Sequence, residues 1–84
     1  MTMKIDIAIE PWHKYKAKHV PSGETWLILG INVVRNEVCA AGWPATIAKL
    51  SDCIEFEDRG LLTGKEIQHV RNKFLGRWDN IPEL

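Results

Sequence analysis

Two cysteines, Cys39 and Cys53, are all the thiols this chain of 84 residues has. That is too few for the disulfide framework that staples small secreted domains. They form no Cys-x-x-Cys pair, and His13, His19 and His69 show no His-x-x-x-His spacing, so no local zinc motif exists. His13 and His19 share one face of a proposed strand, but six residues of strand span about 20 Å, too far to share an ion. No cofactor or metal is expected. Net charge is missing too: eleven Lys and Arg balance eleven Asp and Glu. Neutrality argues against a nucleic-acid coat protein or a polyanion mimic.

Long apolar runs are lacking. The longest, Trp26 to Ile31, is far shorter than the roughly 20 residues that cross a bilayer. The opening stretch MTMKIDIAIE alternates charge with apolar residues and has no signal-peptide core. These features lead to the expectation of a cytoplasmic protein with free thiols and no membrane partner. Catalytic motifs are equally scarce. Ser51-Asp52-Cys53 has no Gly-x-Ser-x-Gly elbow around it and reads as a turn. Gly64-Lys65 lacks the rest of a phosphate loop. Glu55, Glu57 and Asp58 form an acidic patch in which Glu55 and Glu57 read as the solvent side of an edge strand.

What the chain does have is aromatic bulk. Trp12, Trp26, Trp43 and Trp78, with Phe56 and Phe74, supply the apolar payload that a short chain needs. One domain over residues 1–84 is expected, with a short flexible tail at 79–84. Lys4 to Glu10 alternates as a half-buried strand that Pro11 either ends or places at a sheet edge. His13 to Val20 alternates as well, with Lys14, Lys16 and Lys18 on one face and Tyr15, Ala17 and His19 on the other. Val20-Pro21-Ser22-Gly23 predicts a reversal.

Thr25 to Val34 is the central strand. Thr25, Leu27, Leu29, Ile31 and Val33 line one face, and Trp26, Ile28 and Val34 the other. A strand apolar on both sides needs cover on both, from a curled sheet and from a helix. Gly30 in its middle implies a bend or close backbone approach. After a turn at Arg35-Asn36, Val38 to Gly42 returns as a strand of small residues. Residues 44–50 fit either a helix or a strand, and Asp58-Arg59-Gly60 reads as a loop.

Thr63-Gly64-Lys65-Glu66 matches a capping box and opens a helix over Thr63 to Trp78. Ile67, Val70, Phe74, Leu75 and Trp78 share its apolar face, and Gly76 marks its end. Arg71 falls within that face, which predicts a carboxylate partner or an aromatic stack tying helix to sheet. The fold class is therefore α+β: a small, strongly bent antiparallel sheet, SH3-like barrel or open, with a C-terminal amphipathic helix against it.

The functional expectation is a non-enzymatic binding module or accessory regulator acting through protein contact or self-association. The candidate binding residues are Trp12, Lys14, Tyr15, Lys16, Lys18, Arg35 and Trp43. Trp12 and Trp43 are placed at strand ends beside proline, where a tryptophan marks a recognition surface. The three lysines with Tyr15 between them, extended by Arg35, suit the alternative of nucleic-acid binding. The second alternative is a small metal-binding protein or enzyme whose site is assembled from Cys39, Cys53 and distant histidines.

Overall fold

The computed structural model describes residues 8–42 and 46–82. Strands β1 (His13–His19), β2 (Glu24–Asn32), β3 (Glu37–Ala41) and β4 (Thr46–Lys49) form an antiparallel meander. A single 3-10 turn, Leu50–Asp52, leads into β5 (Cys53–Leu61), which pairs with the free side of β1. Helix α1 (Gly64–Lys73) follows. The sheet order is β4-β3-β2-β1-β5. This is the expected α+β arrangement in its open form, with β4 and β5 at the two ends of the sheet.

Several local readings change. The undecided stretch before Leu50 is strand at Thr46–Lys49. Asp58-Arg59-Gly60 belongs to β5 rather than to a loop. The strand expected from Lys4 lies largely outside the described residues, and Ala8 to Glu10 are irregular. Central β2 keeps one residue more than its partner: Ile28 pairs with Ala40, and Gly30 pairs with Cys39. A bulge of this kind puts two successive residues on one side and inverts the alternation beyond it. Leu27 and Leu29 therefore pack under the helix, while Ile31 and Val33 join Trp26 and Ile28 on the opposite face.

The two faces have separate cores. Tyr15, Ala17, Ile28, Ile31, Val38, Ala40, Leu50, Cys53 and Phe56 fill one, with Ile9 against it. Leu29, Cys39, Leu62, Val70, Phe74, Trp78 and Ile81 fill the other. Both covers expected for β2 are present. Gly30 is the point of closest approach: a Cβ there would lie 2.7 Å from the Cys39 sulfur and 2.8 Å from the Trp78 ring. The bulge thus opens a slot that the indole fills.

The capping box of α1 forms as its sequence implies. The Thr63 hydroxyl accepts from the Glu66 amide at 3.1 Å, and the Glu66 carboxylate accepts from the Thr63 amide at 2.8 Å. The helix ends at Lys73, five residues before Trp78. Phe74 leaves it in an extended conformation, and Gly76 takes a φ of 131°, outside the reach of ordinary side chains. That break throws Leu75 outward and returns Trp78 to the sheet.

Residues 79–81, read from sequence as the start of a flexible tail, are sewn into the bulge. Asn80 is fully buried. Its Oδ1 accepts from the Ile31 amide at 2.9 Å, and its Nδ2 donates to the carbonyls of Leu29 and His13 at 2.8 and 2.7 Å. A bulge leaves ladder groups unpaired, and unpaired buried groups are costly; this one side chain satisfies two of them on β2 and the His13 carbonyl at the start of β1.

Candidate functional site

The lysine strand lies inside the sheet. β1 is flanked by β2 and β5, so its lysines project from a sheet face and two of them are engaged. Lys14 Nζ lies 2.8 Å from the Glu66 carboxylate, with both side chains about four-fifths buried. Burial works to raise the Glu66 pKa, but the Lys14 ammonium and the Thr63 amide outweigh it and hold the carboxyl below its usual range. Lys16 reaches Glu57 at 3.5 Å, and Arg59 meets the same carboxylate at 3.1 Å. Arg59 first and Lys16 second lower the Glu57 pKa. Lys18 is exposed and makes no ion pair among the described residues.

The aromatics proposed beside the stripe are structural. Tyr15 is fully buried. Its hydroxyl accepts from the Glu10 amide at 2.6 Å and donates to the Ala8 carbonyl at 3.4 Å. Burial pushes its phenol pKa up. Trp12 is partly buried against the helix-side core. Its amide donates to the Asn80 carbonyl and its carbonyl accepts from the Leu62 amide, both at 2.6 Å. Its φ of 67° is a left-handed conformation that a bulky residue keeps only when its surroundings impose it. Trp43 lies outside the described residues. Trp26, read as core, is half-buried and stacks on His19 with ring centroids 3.9 Å apart.

Other candidates separate. Cys39 and Cys53 are free thiols in different cores on opposite faces of the sheet. Burial pushes Cys39 up to about 12 and also raises Cys53, so neither is poised as a thiolate. Ser51 is tied to the Asn36 side chain, its amide donating at 2.8 Å and its hydroxyl lying at 3.2 Å. His13 sits 2.8 Å from Asp58. The Gly60 amide, then His13, lowers the Asp58 pKa. A concavity of about 560 Å³ beside Trp26, Ala40 and Gly42 holds one carboxylate, Glu24, and that group accepts from the Trp26 indole at 3.2 Å.

Arg35 belongs to a different place. Lys18 pairs with Thr25 near the start of β2, whereas Arg35 lies ten residues farther along the chain, past the strand's end. β2 stops at Asn32, and residues 33–36 form a turn in which the Asn36 amide donates to the Val33 carbonyl. Asn32, itself buried, organises this end. Its Oδ1 accepts from the Arg35 amide at 3.0 Å, and its Nδ2 donates to the Arg77 carbonyl at 2.8 Å. Asp79 adds a second seam: its amide donates to the Ile31 carbonyl, and its Oδ2 accepts from the Val33 amide at 2.8 Å. The turn tip and the segment after α1 are thereby one unit.

What this unit presents is distinctive. Val34 at the turn tip is 94% exposed, and Leu75 after the helix is 89% exposed, the highest values among the described large apolar residues. A turn tip ordinarily carries polar or turn-forming residues, and nothing in the turn requires valine. Val34, Arg35 and Arg77 border a groove of about 400 Å³ with Asn32 and Asp79. Arg71, Phe74, Leu75 and Gly76 border a second one of about 220 Å³, and Gly76 directly precedes Arg77 of the first in the chain. Arg71, expected to tie helix to sheet, is exposed instead, because the helix turns that position toward solvent. Neither Arg71 nor Arg77 forms an ion pair among the described residues; Arg35 meets Glu37 at 3.4 Å. Sequence periodicity missed this site because it assigned Val34 to the strand, Leu75 and Arg71 to the buried helix face, and Asp79 onward to a tail.

No protein-family model, no curated protein and no solved structure matches this chain. Among the described residues, no helix is long and apolar enough to cross a membrane.

Proposed function

We propose that this protein is a non-enzymatic binding module, an accessory protein that acts by contact with a protein partner. The observation behind this reading is the end of the molecule formed by residues 32–35 and 71–79. Scattered exposed aliphatics are ordinary. Two nearly fully exposed ones on a unit laced by buried asparagines, flanked by arginines, have the composition of an interface, where Arg is enriched and Lys depleted. The polar chemistry elsewhere is spent on the fold: Asn80, Lys14, Glu66, Tyr15 and Ser51 all have internal partners. A cytoplasmic setting suits the two buried free thiols.

The test is affinity capture on the immobilised chain beside its Val34→Ser/Leu75→Ser variant, with folding verified by near-ultraviolet circular dichroism. Retention of a defined protein by the parent, and its loss from the variant, supports the reading. Equal retention by both, or retention of nucleic acid in place of protein, contradicts it.

A further inference from the structure

We infer that the surface around Val34, Arg35, Arg71, Leu75 and Arg77 receives an acidic segment of the partner protein, one in which carboxylates alternate with aliphatic side chains. The inference rests on the protein-binding reading and adds the chemistry of the partner.

The charge pattern carries it. Three arginines border the two grooves, Arg35 and Arg77 the first and Arg71 the second. Two of them, Arg71 and Arg77, have no carboxylate among the described residues. The acids nearby are committed. Asp79 accepts from the Val33 amide, and Glu37 meets the Arg35 Nε on a side chain that stays 62% exposed. Guanidinium groups bind carboxylates in planar, two-pronged fashion, a geometry that lysine does not offer. Val34 borders the first groove and Leu75 the second, and their side chains give a partner nothing but apolar contact. A ligand that uses the whole surface must therefore bring acid and aliphatic groups together.

Nucleic acid fits less well. A groove for single strands pairs cations with exposed aromatic platforms. The aromatic rings here, Phe74 and Trp78, are buried. Val34 and Leu75 offer no hydrogen bonds to phosphates or base edges. The surface is also preset: Asn32 fixes the Arg35 and Arg77 backbones relative to each other before any ligand arrives, which lowers the ordering cost of binding.

The probe is a synthetic peptide alternating glutamate with leucine, titrated into the full-length nitrogen-15-labelled chain at low and near-physiological salt. A glutamate-only peptide of equal length and a mixed-sequence single-stranded oligonucleotide are run beside it. The expected result is amide shifts focused on residues 32–35 and 71–79 with the alternating peptide. Affinity should fall roughly tenfold in Arg71→Ser/Arg77→Ser. It should fall by a smaller factor in Val34→Ser/Leu75→Ser, and the glutamate-only peptide should bind as weakly as that variant. Equal binding of the glutamate-only peptide removes the aliphatic groups from the site and overturns the inference. Shifts from the alternating peptide at another surface also overturn it, while leaving protein binding in place. Shifts at residues 32–35 and 71–79 with the oligonucleotide alone overturn both the inference and the protein-binding reading. No shifts with any probe overturn the inference.

Discussion

Two basic regions of this protein differ in what surrounds them. On β1, Lys14 and Lys16 are matched by Glu66 and Glu57, Tyr15 beside them is interior, and Trp12 is partly buried. At the far end of β2, Arg71 and Arg77 have no such match among the described residues, and the apolar side chains beside them stand in solvent. The first region is part of how helix and sheet are joined. In the second, the backbone is held by Asn32 and Asp79, while the Arg71 and Arg77 side chains form no ion pair among the described residues. A cationic side chain reports on binding only after its internal partners have been counted.

The comparison breaks most severely at the side chain that holds the second region in place. Replacing Asn80 with Ala leaves the Ile31 amide and the Leu29 and His13 carbonyls without partners. At about 1–3 kcal/mol for each buried orphan, partly relieved by relaxation, the loss should come to about 3–5 kcal/mol in denaturant unfolding. Asn32→Ala removes two such bonds and should cost about 2 kcal/mol. It should also broaden the amide resonances of Arg35 and Arg77 while leaving those of β1 sharp.

The first region predicts a structural cost where the second does not. Glu66→Ala takes away both the capping box and the partner of Lys14, and should cost about 1–2 kcal/mol. Arg71→Ser and Arg77→Ser should each stay within about 0.5 kcal/mol of the parent, because neither side chain has an internal partner to lose. A large drop in melting temperature for either arginine variant would mean that the second region is structural as well.

Acid sharpens the same contrast. The folded-state pKa of Glu66 lies below its ordinary value of 4.5. Its contribution to stability is therefore complete above the unfolded value and is lost as pH falls through the folded one. Glu57 and Asp58 shift in the same direction. Denaturant midpoints measured from pH 6 downward should fall below about pH 4.5, and Glu66→Gln should flatten that acid limb while lowering the plateau. An unchanged acid limb in Glu66→Gln would show that the Lys14 contact does not form in solution.

Much of the fold was legible in the sequence. Strict alternation places Tyr15 and Ala17 inward and the lysines outward, Thr63 and Glu66 announce the helix start, and the doubly apolar β2 demands cover on both faces. Periodicity failed where geometry departs from a regular repeat. The bulge at Leu29-Gly30 reverses the faces of Ile31 and Val33; Gly30 signals the close approach, but no residue pattern signals the extra residue that inverts the alternation. The helix stops at Lys73 because Phe74 and Gly76 leave it, which turns the extrapolated apolar face of Leu75 outward. Asn80 looked like a polar tail residue because a lone asparagine carries no sign of the backbone groups it will meet. The strand order, set by β5 returning to β1, decides that the lysine stripe is internal to the sheet, and pairing across 40 residues leaves no local trace. The candidate site, assembled from a turn tip and a post-helical segment, was legible only at Arg35.

The most direct measurement is isothermal titration of the alternating glutamate–leucine peptide into three proteins: the parent chain, Lys16→Ser/Lys18→Ser, and Arg71→Ser/Arg77→Ser. The lysine variant should bind as the parent does, and the arginine variant should bind roughly tenfold more weakly. Loss of binding in the lysine variant, with the arginine variant unaffected, would return the interface to β1 and contradict the account.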